Sequence, residues 1–203
     1  NIKNIFIHLD DENNQETDTT LYNGCFIITK KNKKPNLKFN IITDQIKIQP
    51  NKLYAKKDGE ITYENLSDLS FFKKIKIEFI EITNQNNIDC NIYLATPTKM
   101  YYSIEAEAKR LADEGSFGVS GNLQFGNNNL FKGAENLNGT IRVSLGNRQT
   151  NVDDSNIIFN TQEISYEIGL RKPKLILPKK LNKWLTNSFQ MSTNLTTSIT
   201  QRK

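Results

Sequence analysis

The chain has 203 residues, 36% of them hydrophobic, and a formal net charge of +5. This length is enough for one or two domains with a real core, and no stretch approaches the ~18 apolar residues that a membrane-spanning helix needs. The lysines are scattered and do not alternate with stacking aromatics along one stripe, so the composition argues against a nucleic-acid-binding protein.

Residues 1–99 combine strands and helices in the manner of an α+β domain. Hydrophobic periodicity and turn residues predict six elements: strand 4–9, strand 22–30, helix 36–47, helix 60–70, strand 73–79 and strand 88–95. The polar residues 10–20 are predicted to form a loop. The strand at 73–79 alternates, with an inward row of Ile75, Ile77 and Phe79 and an outward row of Lys74, Lys76 and Glu78.

Two cysteines, Cys25 and Cys90, are far apart and belong to no CxxC or cysteine–histidine pattern. Cys90 is in phase with Ile92 and Leu94 on a predicted strand, which favours a buried free thiol. A disulfide between the two cysteines stays open as an alternative.

No residue pattern predicts catalysis or metal binding. His8 is the only histidine, which argues against a Ser–His–Asp relay and against a metal site built from histidines. The acidic segments 10–13 and 113–115 lack the spacing of a calcium loop, and residues 115–121 lack the lysine of a phosphate loop. We therefore expect a protein that is not an enzyme and has neither cofactor nor metal.

Residues 100–203 follow a different pattern, in which one strand succeeds another and no helical period appears. Strict alternation predicts five strands, at 101–109, 117–125, 137–146, 163–170 and 189–200. In the second of these, the apolar row is Phe117, Val119, Leu123 and Phe125, and the opposite row is Gly118, Ser120, Asn122 and Gln124. The apolar row faces either a protein core or lipid.

Two features favour lipid. The opposite rows are polar at almost every position and include Glu105, Glu107 and Arg142, as in the wet interior of a transmembrane barrel. The strands are also about 9–12 residues long, which matches a tilted span, whereas strands of globular sheets average about five or six residues. A soluble β-sandwich alternates in the same way and stays an alternative.

The segment GVSGNLQFGNNNLFKGAE (118–135) resembles the strand and turn that begin the barrel in the BamA/TamA family of outer-membrane assembly proteins. The turn of that family is matched here by Asn127, Asn129, Leu130, Phe131, Gly133, Ala134 and Glu135. Asn128 stands where the family often has arginine. Residues 46–81 are similar to the last POTRA domain of the family, with Asn51 in place of the usual glycine, and residues 159–178 resemble its fourth strand and following turn.

The resemblance implies an α+β POTRA domain at 1–99 in the periplasm. It implies that residues 100–203 are the first five strands of an antiparallel all-β transmembrane barrel, a partial barrel in the bacterial outer membrane, with the row from Phe117 to Phe125 facing lipid. The chain begins at Asn1 without a methionine or a signal peptide, and we expect it to be a segment of a longer protein.

The function implied is assembly and insertion of outer-membrane proteins. Client strands would pair with a gate strand made of Tyr101, Tyr102, Ser103, Ile104, Glu105, Ala106 and Glu107. A second strand-addition site is expected at the POTRA edge strand made of Lys74, Ile75, Lys76, Ile77, Glu78 and Phe79. The partners implied are unfolded β-barrel clients, outer-membrane lipids and accessory lipoproteins, without nucleic acid.

Two other functions remain compatible with the pattern. One is a secretion pore of similar build, which five strands do not distinguish from an assembly factor. The other is a soluble β-rich adhesion or carbohydrate-binding module, which should place aromatic residues on one exposed platform and dissolve without detergent.

Overall fold

The computed structural model of the chain describes residues 1–10, 17–31, 37–83, 86–110, 117–147, 159, 161–173 and 192–203. Within these residues the fold is mostly antiparallel β-sheet with few helices, consistent with a β-barrel-like architecture. The described chain divides into two compact units. The first contains Asn1–Thr98 and Asn129–Glu135, and the second contains Lys99–Asn128, Asn136–Arg171 and Asn194–Lys203.

The first unit is built on a five-stranded mixed sheet in the order β2-β3-β1-β5-β4. Its strands are β1 (Ile2–Leu9), β2 (Thr17–Tyr22), β3 (Cys25–Lys30), β4 (Lys74–Glu81) and β5 (Ile88–Ala95). The central strand β1 runs parallel to both β3 and β5, while the outer pairs β2–β3 and β4–β5 are antiparallel. The edges of this sheet are therefore β2 and β4.

One face of the first sheet carries the hydrophobic core. Alternate residues of the inner strands are fully buried there, among them Ile5, Ile7, Ile27 and Ile92. The helices α1 (Phe39–Thr43) and α2 (Lys56–Asp68) add Ile41, Ile42 and Leu66 to the same core. Cys25 and Cys90 are buried free thiols in this cluster, as the phase of Cys90 predicts.

The hairpin of β2 and β3 was missed by the prediction of a loop over 10–20. Thr17–Tyr22 pairs along its whole length with Cys25–Lys30. The turn between them is Asn23-Gly24, with φ of 47° and 77°. Positive φ at both central residues is typical of the type I′ turn that Asn-Gly favours, so a signal for this hairpin was present in the sequence.

The helices differ from their predicted bounds. Only Phe39–Thr43 of the predicted helix 36–47 is helical, because its run of β-branched residues has low helix propensity and one turn suffices to bury Ile41 and Ile42. The other helix starts four residues earlier than predicted and spans Lys56–Asp68. Thr62 is buried inside it because its hydroxyl donates to the Asp58 carbonyl at 2.7 Å and accepts from the Lys47 amide at 3.0 Å.

The second unit is one antiparallel sheet in the order β10-β9-β8-β7-β6. Its strands are β6 (Met100–Arg110), β7 (Phe117–Asn128), β8 (Asn136–Asn147), β9 (Thr161–Lys172) and β10 (Thr193–Arg202). Each pairs with its neighbour in sequence, as consecutive strands of an antiparallel sheet commonly do. The predicted strand 189–200 begins in residues outside the described part, and its described portion lies in β10.

Within the described residues the second sheet is open, with β6 at one edge and β10 at the other. It is not a closed barrel in this part of the chain. None of the helices among the described residues is long and apolar enough to cross a membrane.

Candidate functional site: a two-faced sheet and its edge strand

The register of the second sheet lines polar residues of successive strands up in rows on one face. Glu105 on β6 is opposite Asn122 on β7, which is opposite Arg142 on β8. The Asn122 amide donates to the Glu105 carboxylate at 3.3 Å. At the far side of the sheet, Arg202 donates to the Glu163 carboxylate at 2.8 Å. Charged side chains on this face are thus neighbours of polar ones from strand to strand.

A cavity of about 730 Å³ lies against this polar face. Most of its lining residues belong to the polar rows, including Ser120, Arg142 and Glu163. No group of three or more histidine, cysteine, aspartate or glutamate side chains in the described ranges is placed to hold a metal ion.

The opposite face of the same sheet is apolar in equally continuous rows. Ile104, Leu123, Ile141 and Tyr166 follow one another across four strands. The predicted lipid-facing residues Phe117, Val119, Leu123 and Phe125 lie on this face of β7, and Leu123 and Phe125 are 39% and 45% exposed. The large side chains exposed on this unit include Tyr102, Ile104, Phe125, Tyr166, Ile168, Leu195 and Ile199.

Continuous exposed apolar rows are uncommon on monomeric soluble proteins, so this face is a candidate interaction surface. The described part of the second unit supplies no second layer that would cover it. Phe117 has one aromatic neighbour, the ring of Phe159, at a centroid distance of 6.2 Å.

The predicted gate residues Tyr101, Tyr102, Ser103, Ile104, Glu105, Ala106 and Glu107 all lie on β6. This strand pairs with β7 from Met100 to Arg110 and has no second strand beside it in the described sheet. Ten of its eleven residues are exposed. An edge strand of this length carries a row of backbone N–H and C=O groups that can pair with another strand.

Within the predicted turn motif, residues 129–135 form a tight turn that is held by hydrogen bonds. The Glu135 carboxylate is buried and accepts from the backbone amides of Phe131 at 3.2 Å and Gly133 at 2.9 Å. The side chain of Asn129, also buried, accepts from the Ala134 amide at 3.1 Å. These bonds stabilise the turn, in which Ala134 adopts a left-handed backbone conformation with a φ of 61°.

The same turn belongs to the first unit. Ala134 is part of its hydrophobic core cluster, and the Lys132 carbonyl accepts from the Lys38 amide at 3.0 Å. Asn127, the first residue of the predicted turn motif, lies instead on β7 in the second unit. Phe131 points outward and is exposed.

The second predicted edge strand lies on β4, which pairs with β5 alone in the first sheet. A groove of about 460 Å³ runs between β4 and α2. Ile75, Ile77 and Phe79 form its strand side. The outward row of β4 is charged, and the hydrogen bond from Lys76 to Glu78 raises the pKa of the lysine.

The helix side of this groove was missed by the sequence analysis. Gly59 faces the ring of Phe79, and Tyr54 packs against that ring edge-on at a centroid distance of 4.7 Å. Tyr63, which lies at helical spacing from the buried Leu66 and Leu69, lines the groove and is 49% exposed. The glycine in a helix and the two tyrosines were the available signals.

Comparisons with known proteins leave the family open. No family model and no curated protein matches the chain. One similar solved structure is that of BamA from Haemophilus ducreyi lacking POTRA domains 1–3, with 9% identity and a TM-score of 0.31. The alignment covers 92% of this chain and 47% of that one, so the chain spans about half of its length. Similarity at this level supports no conclusion about function.

Proposed function

We propose that the chain is part of an outer-membrane protein assembly factor whose second unit lies in the bilayer and offers β6 to incoming strands. The observation that carries this proposal is that two features occur together in one sheet. The sheet has a continuous exposed apolar face, and it ends at an exposed edge strand of eleven residues. A membrane-embedded sheet with an unpaired edge is a template for strand addition.

The apolar face supports contact with lipid. In the hydrocarbon region every backbone group must be paired within the protein, and β-strands meet this requirement only through neighbouring strands. The strands from β6 to β9 pair their backbones with one another in this way. Their apolar side chains lie in rows on one face of the sheet. The polar rows then face a wet interior, which tolerates Glu105, Arg142 and Glu163.

The edge supports strand exchange by backbone pairing. In lipid the unpaired N–H and C=O groups of β6 would each cost several kcal/mol, on the order of the desolvation of a peptide group. An unfolded β-barrel client brings the same unpaired groups, so pairing at β6 satisfies both. The chemistry is non-enzymatic, because hydrogen bonds are exchanged and no covalent bond changes.

The first unit fits the role of a periplasmic POTRA domain. Its β4-β5-β1 part carries the two helices on one face and leaves β4 at an edge. The groove between β4 and α2 lets an extended peptide add to β4 while placing alternate side chains on Ile77 and Phe79. We propose that clients, and accessory lipoproteins where they exist, bind here by strand addition.

Two tryptophan substitutions test the membrane placement. The only tryptophan, Trp184, lies outside the described residues and is first replaced by phenylalanine. Leu123→Trp and Gln124→Trp are then compared in phosphatidylcholine vesicles that contain brominated acyl chains. We expect strong quenching for Leu123→Trp and little for Gln124→Trp, since neighbouring residues of a strand point to opposite faces. Equal quenching at both positions would refute a two-faced sheet in lipid.

A disulfide trap tests strand addition. The Ser103→Cys chain in vesicles is mixed with an unfolded β-barrel client that carries one cysteine in its last strand. We expect a cross-link at Ser103→Cys on the edge strand and none at Ser165→Cys, because Ser165 lies on β9 between two paired strands. Cross-linking of equal yield at both positions would show that the client does not pair with β6.

A further inference from the structure

The polar face of β6 carries a definite order of charges along the sheet edge. Glu105, Glu107 and Lys109 alternate with apolar residues, giving the order acid, acid, base. We propose that this edge selects an antiparallel strand whose polar face reads acid, base, base from its amino end. This inference rests on the proposed function and adds the chemistry of the partner strand.

The neighbouring strand β7 supplies no charge opposite these three residues. On β7 they are opposite Asn122, Ser120 and Gly118, all of them uncharged. Glu105 receives one bond, from the Asn122 amide at 3.3 Å.

Along β6 itself, Lys109 pairs with Glu107 at 3.0 Å, and both side chains are more than half exposed. Two carboxylates and one ammonium group therefore leave the polar row of β6 net negative, while Arg110, the last residue of the strand, belongs to the other row. A strand that adds to β6 meets these groups directly.

The register of an added strand follows from the sheet. The pairs β6–β7, β7–β8 and β8–β9 are antiparallel, so a strand that continues the sheet runs antiparallel to β6. From its amino end it passes Lys109, then Glu107, then Glu105. Opposite charges at directly opposed positions stabilise a strand pair and like charges destabilise it, by about 0.2–1 kcal/mol each.

The other face of β6 fixes what lies between these positions. Tyr102 and Ile104 are 82% and 77% exposed on the apolar face. Between the charged positions the same face carries Ala106 and Ala108, so the two intervening residues of an added strand lie opposite these alanines. The residue after its last charge lies opposite Ile104. Apolar side chains are favoured at all three positions. The partner is thus an amphipathic strand with the pattern acid-x-base-x-base, where x is apolar.

Two synthetic strand peptides test the selection on the whole chain in vesicles. One has the complementary order acid-x-base-x-base, and the other has every charge inverted. Each carries a cysteine two residues after its last charge, which is the position opposite Ser103 in the antiparallel register. The concentration for half-maximal disulfide trapping on Ser103→Cys is measured for both.

We expect the complementary peptide to be trapped at a concentration at least about threefold lower, from the cross-strand charge pairs. The double substitution Glu105→Lys and Glu107→Lys should reverse this preference. The control is the double substitution Glu163→Lys and Glu167→Lys on the interior strand β9, which makes the same change in net charge and should leave the preference unchanged. Strand formation in each variant is checked by circular dichroism in the vesicles.

The outcomes separate this inference from the function on which it rests. Equal trapping of both peptides on Ser103→Cys, above that on Ser165→Cys, would overturn charge selection while supporting strand addition at β6. Trapping no greater on Ser103→Cys than on Ser165→Cys would overturn both. A preference that the control substitutions Glu163→Lys and Glu167→Lys reverse as fully as those at Glu105 and Glu107 would assign the effect to overall charge and overturn selection at the edge.

Discussion

The ring of Phe125 on β7 occupies the space that a Cβ atom on Gly139 of β8 would take. The two residues are directly opposed in the register, and Tyr101 of β6 covers Gly126 of β7 in the same way. An aromatic ring laid over a cross-strand glycine restores the packing that the missing side chain leaves out. Phe125 and Tyr101 lie on opposite faces of the sheet, so ring-over-glycine packing favours the observed strand register on both faces.

Gly139→Ala is therefore expected to destabilise the sheet. The added methyl group must displace the Phe125 ring, and overpacking of this kind costs about 1–3 kcal/mol. Gly121→Ala is the matched control, because no atom of another residue lies within 4 Å of a Cβ at that position and both glycines are on the apolar face. The free energy of unfolding is measured from urea titrations in lipid vesicles. Equal effects of the two substitutions would contradict the role of the ring.

Arginine on the apolar row of β7 should be costly in lipid. At Phe117, Val119, Leu123 or Phe125 it would place a charge among acyl chains, and near mid-bilayer the cost is roughly 2–4 kcal/mol. Ser120→Arg on the polar face should have a mild effect. The comparison uses the same urea titrations in vesicles. If arginine changed the free energy of unfolding equally in both rows, the apolar face of the sheet would not be in contact with hydrocarbon.

The strands of the second unit could be predicted because their information is local. Period-two alternation over 101–109 or 137–146 places each residue on a face, and the observed β6 and β8 extend those ranges by one or two residues. The rows across the sheet then follow from strands that pair in sequence order. The hairpin at Asn23-Gly24 was equally local and was missed because β2 is mostly polar and is exposed along its whole length.

The rest of the candidate site depends on contacts between residues distant in sequence. Nothing in the alternation of 118–135 indicates that Ala134 joins the core cluster that contains Ile42, since the two residues are far apart in sequence. The groove beside β4 depends in the same way on where α2 lies. Helical spacing places Tyr63 with Leu66 and Leu69, and the exposure of Tyr63 beside these buried leucines follows from the groove.

Loss of the Glu135 carboxylate should destabilise the first unit. Glu135→Ala leaves the Phe131 and Gly133 amides without their acceptor in a buried turn, at a cost of about 1–3 kcal/mol. Glu135→Gln keeps one acceptor oxygen and should cost less. The urea dependence of Cys90 labelling by a thiol reagent reports the unfolding of this unit.

Glu64→Ala serves as the control for the turn, because Glu64 is an exposed residue of α2. Its effect should stay within about 0.5 kcal/mol. If Glu135→Ala were as mild as Glu64→Ala, the buried carboxylate would not be what holds the turn.

The two thiols should make the first unit less stable in alkali. Burial raises the pKa of Cys25 to about 11 and that of Cys90, which also feels the negative charge of Cys25, to about 12. Between the ordinary thiol pKa and these values the unfolded chain has lost protons that the folded chain keeps, so stability is full below that window and falls as pH rises through it. Near pH 10, ionisation of each thiol in the unfolded chain should lower the free energy of unfolding by about 1 kcal/mol.

The measurement is the free energy of unfolding at neutral pH and near pH 10 for the chain itself and for the double variant Cys25→Ala and Cys90→Ala. Lysines and tyrosines titrate in both proteins, so the thiol contribution is the difference between their two pH slopes. We expect the variant to be less stable at neutral pH, because each substitution leaves a cavity, but to lose less stability on going to alkali. Identical slopes would mean that the thiols are not shielded from water in the core. Rapid labelling of the folded chain by a thiol reagent at neutral pH would lead to the same conclusion.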